Sequence, residues 1–88
     1  MEQVLKLLKA DLGISGTQRD EYLTQQLTAA MQDLEARGVE LDLTAADDAM
    51  LLSDLTAWMY RHRSEDVGMA KNIEYRIKNR QVKKRCET

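Results

Sequence analysis

Three groups of residues in this chain have types that could do chemistry. The first is Asp47-Asp48, adjacent carboxylates of the kind a general acid–base step uses. Neighbours on a helix point about 100° apart, so this pair suits a helix cap and a dipole partner better than proton transfer. The second is His62 with Cys86, the only histidine and the only cysteine. A structural zinc site wants about four ligands, and one cysteine cannot form a disulfide within one chain. His62 also falls on the apolar face of its helix, without a nucleophile or second ligand beside it, and reads as a histidine at the core edge. Ser15, Ser53 and Ser64 lack a nucleophile-elbow sequence, and the glycines match neither a phosphate loop nor a dinucleotide fingerprint. No catalytic, cofactor-binding or metal-binding residue is expected, and the chain is not expected to be an enzyme.

The third group is the run of bases near the end of the sequence. From Met69 to Arg85 there are Lys71, Arg76, Lys78, Arg80, Lys83, Lys84 and Arg85 against one acid, Glu74. Residues 1–60 lean the other way, with eleven acids and four bases, whereas 61–88 hold nine bases and four acids. The net charge of −2 therefore conceals an acidic body with a basic arm. Such an arm could contact phosphates, pair with an acidic surface of another subunit, or remain a solvated helix face.

The elements that must position these residues read as helices. The chain has no proline and no phenylalanine, few β-branched residues, and an abundance of strong helix formers. Breaks at Gly13–Gly16, Gly38–Leu43 and Ser64–Gly68 divide it into four helical segments. The first, Glu2 to Leu12, aligns Val4, Leu5, Leu8 and Leu12, with Leu7 at the margin. The second, Gln18 to Arg37, is expected to be capped by Thr17 and to bury Leu23, Leu27, Ala30, Met31 and Leu34; Gly38 should close it in the left-handed conformation. The third runs from a Thr44 cap to about Arg63 and is the most apolar. Leu27, Leu51, Leu55 and Trp58 are the expected core, largely buried between the second and third helices.

The fourth helix, Met69 to Arg85, has two apolar stripes. Met69, Ile73 and Ile77 form one; Tyr75, Val82 and Cys86 lie roughly 160–200° away at 100° per residue. One small body cannot bury both, so one stripe is expected to pack at home and the other to meet a partner. Partner contact is assigned to Tyr75, Arg76, Asn79, Arg80 and Val82.

An all-α, compact four-helix single domain spanning 1–88 follows, with a basic C-terminal helix. Its length of 88 residues allows burial of only about 60–65% of the unfolded surface, so association would support a marginal core. No apolar run is long enough to span a membrane, and Met1 to Gly13 is too charged for a signal peptide; a soluble protein of a reducing compartment is expected. A DNA-reading helix-turn-helix is disfavoured because a six-residue Gly-Val-Glu-Leu-Asp-Leu segment separates the second and third helices.

The stretch Leu43 to Lys84 resembles the small phage and prophage head–tail connector proteins, also called adaptor or DNA-packaging proteins. The likeness is carried by Thr44, Asp47-Asp48, Met50-Leu51-Leu52 and Trp58-Met59-Tyr60-Arg61-His62-Arg63, then Gly68-Met69, Tyr75-Arg76 and Asn79-Arg80. The short first helix and the Tyr22–Leu34 helix suit that layout. One departure is Ala70, near where close relatives would carry a proline, which bears on the start of the fourth helix. The resemblance implies a subunit of a homo-oligomeric ring beneath the portal protein, joining the DNA-filled head to head-completion or tail proteins. It also implies at most non-specific contact with genomic DNA, no cofactor and no membrane, and a place at the head–tail junction after assembly in the host cytoplasm. The rival expectation is a small nucleic-acid-binding protein using the basic helix; a regulatory or chaperone-like assembly module is a third.

Overall fold

Helix-favouring residues broken by glycine-containing turns give four α-helices and no strand among the described residues: α1 (Glu2–Leu12), α2 (Asp20–Ala36), α3 (Ala46–Arg61) and α4 (Lys71–Glu87). This computed structural model describes residues 1–63 and 68–87, with side chains described as far as residue 83 in the last helix. The expected polar break over 64–67 and the side chains of Lys84, Arg85 and Cys86 lie outside the described residues. The chain is an all-α single domain.

Two helix ends are closed by backbone geometry that only glycine adopts cheaply. Gly38 has φ 82°, and the Gly38 and Val39 amides donate to Glu35 O at 3.0 Å and Leu34 O at 2.8 Å. That pair of bonds is a Schellman motif. Gly13, at φ 72°, repeats it on α1, with Ile14 N donating to Lys9 O at 2.9 Å.

The helix starts differ from expectation. Arg19 occupies the N-cap of α2 and Ala45 that of α3, and neither makes a side-chain cap bond. Thr17 contributes only its carbonyl, which accepts from Asp20 N at 3.1 Å. Thr44 turns to Asp42 instead, donating from its amide at 3.0 Å and its hydroxyl at 2.5 Å. A nearby carboxylate competed successfully for the hydroxyl.

α3 is the central element. Ala49, Leu51, Leu52, Ser53, Leu55, Thr56 and Ala57 are all buried, which is burial around most of the helix rather than along one stripe. The buried Thr56 hydroxyl donates to Leu52 O at 2.7 Å. Around α3 pack Val4 and Leu8 of α1, Leu23, Leu27, Ala30 and Leu34 of α2, and Ile73 and Ile77 of α4, with Val39 from the connecting turn. Side-chain pairs fix the directions. Residues 3–10 lie beside 43–50 and Asp11 pairs with Arg61 at 3.2 Å, so α1 runs parallel to α3. Tyr22 meets Tyr60 edge-on at 6.3 Å, so α2 runs antiparallel. α4 is antiparallel too, with Arg76 at Asp54 and Arg80 at Asp48.

Leu27, Leu51 and Leu55 are fully buried, whereas Trp58 is only partly so. The tryptophan ring packs against the His62 ring, whose centroid is 3.9 Å away.

Candidate interaction surface

Of the described α4 side chains, Ile73 and Ile77 enter the core, at 4% and 3% exposure. Two flanking arginines complete the seam. Arg76 Nη1 donates to Asp54 Oδ2 at 2.7 Å. Arg80 donates to Asp48 Oδ1 from Nε at 3.0 Å and lies 2.9 Å from it through Nη2, with Asp47 Oδ2 at 3.6 Å. Asp48 also accepts the Asp42 amide at 2.8 Å, so one carboxylate ties the α2–α3 connection, α3 and α4 together. Farther along, Gln81 Nε2 donates to Arg37 O at 2.8 Å, at the end of α2.

The five residues expected to form one contact surface are therefore divided. Arg76 and Arg80 face inward and hold α4 to α3. Tyr75, Asn79 and Val82 face outward, Tyr75 at 66% and Val82 at 56% exposure. At 100° per residue, Lys71, Tyr75, Lys78 and Val82 fall within an arc of about 60°, opposite the arc of Ile73, Arg76, Ile77 and Arg80. Lys71 and Lys78 form no ion pair among the described residues. The home stripe of α4 is thus Ile73/Ile77, and the spare stripe is an aromatic and an aliphatic side chain framed by two lysines.

Sequence reasoning missed the acidic partners of the arginines. Arg76 and Arg80 are one turn apart, but their partners Asp54 and Asp48 are six residues apart and do not line up along α3. No spacing in the sequence therefore marked the pairs, or which helices become neighbours. Asp47 and Asp48 do not face each other across a reacting atom; Asp47 is largely solvent-facing and Asp48 is committed to Arg80 and the Asp42 amide. The two hydrogen bonds from Thr44, the hydroxyl's the larger influence, hold the Asp42 carboxyl below the ordinary value of 3.8.

Of two clefts, the first touches α4 and the second does not. One, of about 450 Å³, lies between the Gly38–Glu40 turn, Asp47, Asp48 and the Asn79–Lys83 part of α4, and carries charges of both signs. The other, of about 500 Å³, is apolar and runs between α1 and the start of α3. No group of three or more potential metal ligands exists among the described residues. At the opposite end of the bundle Arg19 donates to the Tyr60 hydroxyl, and the Arg63 guanidinium sits 4.4 Å over the Tyr60 ring. α4 thus presents two exposed apolar side chains, Tyr75 and Val82, on its outward face.

Compared with family models, curated proteins and solved structures, the chain matches none.

Proposed function

We propose that this chain is a non-catalytic structural subunit of a phage or prophage particle, a head–tail connector that forms a ring under the portal and joins the head to tail-completion proteins. The observation that carries this reading is the two-sided α4: an inner face anchored to α3 and an outer face that leaves Tyr75 and Val82 exposed. Exposed large apolar side chains aligned on one helix mark docking surfaces, and the resemblance over Leu43 to Lys84 supplies the kind of assembly. Arg76 and Arg80 serve the docking surface indirectly, by fixing how far and at what angle the outer stripe projects.

The nucleic-acid alternative loses support from the same contacts, because two of the arginines it would use are neutralised by Asp48 and Asp54. The deciding experiment is electron microscopy of the protein mixed with its cognate portal. Wild type should add density below the portal ring, and a Tyr75→Asp/Val82→Asp double variant, folded by circular dichroism, should not. A double variant that decorates the portal like wild type would remove α4 from the docking surface.

A further inference from the structure

We propose that the outer stripe of α4 on one copy seats in the apolar groove between α1 and α3 of a second copy, making a head-to-tail contact. The inference rests on the connector reading in taking α4 as the docking element, and names the surface that receives it. The groove is concave because Ala10, Ala46 and Ala49 are short where Leu7 and Met50 are long; the latter two are exposed at 39% and 45%. Its space of about 500 Å³ accommodates a phenol ring and an isopropyl group together.

Length and charge also match. On α1 the groove spans Gln3 to Ala10, seven residues, and Tyr75 and Val82 are also seven residues apart; both distances are about 10.5 Å at 1.5 Å per residue. Lys6 is the charged residue lining the groove, and Glu74 is the one acid of the described α4 side chains. Lys71 and Lys78 frame the stripe and would lie at the rim of the groove, whose lining carries no acid. The charge match at this contact is Glu74 of the helix with Lys6 of the groove.

A second copy is the occupant because each chain carries both halves of the contact and cannot join them itself. α4 turns its stripe away from α3, and the groove opens beside α1. Two different patches on separate faces make a heterologous contact, which propagates from copy to copy and closes into a ring if the rotation permits. A self-complementary dimer would need one patch facing itself.

The test uses two folded variants of the full chain: a stripe variant, Tyr75→Asp/Val82→Asp, and a groove variant, Ala46→Trp, which fills the cleft from an exposed position. Sedimentation velocity should show wild type associating beyond dimer with rising concentration. Each variant alone should associate roughly 30-fold more weakly or worse, the loss expected when hot-spot side chains are removed. An equimolar mixture should form a dimer and nothing larger, since it retains one intact stripe and one intact groove per pair. A wild type that stays monomeric, variants that associate like wild type, or a mixture that stays monomeric each overturns the pairing. Portal decoration, measured in parallel, separates the two readings. Wild type that decorates the portal while failing the pairing test leaves the connector standing. The expected pairing with no portal binding leaves the head-to-tail contact and removes the connector.

Discussion

Leu55 is surrounded because α3 is buried on most of its circumference, and at 1% exposure within the core its truncation leaves a cavity. Leu55→Ala should lower stability by about 2–5 kcal/mol, the range for buried leucine truncations; an unchanged denaturation midpoint would show the wrong face of α3 inward. Asp42 tests a different residue-scale effect. Its carboxyl is held low by bonds from the Thr44 hydroxyl and amide, so Thr44→Val, which removes only the hydroxyl, should raise the Asp42 pKa while leaving it below 3.8. A group whose folded pKa is depressed stabilises above its unfolded pKa, and that contribution is lost as pH falls through the folded value. The Asp42 contribution should therefore fade only below pH 3.8, and the substitution should shrink it. Carboxyl-carbon NMR titration reads the shift directly; an identical titration in both proteins would show that the hydroxyl plays no part.

At the scale of elements, the helix interiors were legible and the helix starts were not. Leu23, Leu27, Ala30 and Leu34 repeat at helical spacing and are buried together, and Gly38 closes α2 as its residue type requires. Hydrophobic periodicity determines which face is inward, independently of what lies opposite. Capping does not share that independence: Thr44 had Asp42 two residues away and bonded to it. The anchoring of α4 was illegible for a related reason, since Arg76 and Arg80 looked like outward contact residues until α3 was known to lie beside them. Among the described α4 side chains, Ile73 and Ile77 are the ones that join the core, which gives the arginine pairs a large share of its attachment. Arg80→Ala should cost about 1 kcal/mol, above a fully exposed ion pair and below a buried one. Amide exchange should show the loss concentrated in α4 while α3 stays protected. Uniform acceleration across all four helices would mean that α4 unfolds only with the whole domain.

For the whole molecule, the fold changes what the charge asymmetry means. The acidic body and the basic arm meet within one chain, through Asp54 with Arg76 and Asp48 with Arg80, so much of the apparent dipole is spent on holding α4 in place. The outer arc keeps Lys71 and Lys78, about 10.5 Å apart along the helix, with Tyr75 between them. A dedicated groove reader would present several cations and polar side chains on one face, aimed at base edges. Two lysines and a tyrosine provide no such pattern. With roughly two or three phosphates neutralised, log K should fall with log salt at a slope of about −2 to −3, and binding should be non-specific and negligible near physiological ionic strength. Fluorescence anisotropy with duplexes of unrelated sequence, across a salt series, measures both the slope and any preference. Equal, weak binding to all duplexes fits a helix whose outward face is built for protein, because the apolar pair at its centre contributes nothing to phosphate contact. A single preferred duplex bound at nanomolar affinity in physiological salt, as true regulators bind, would overturn the connector in favour of a DNA-binding role. It would also require the Arg76 and Arg80 pairs to open, since among the described α4 side chains that arc presents two lysines.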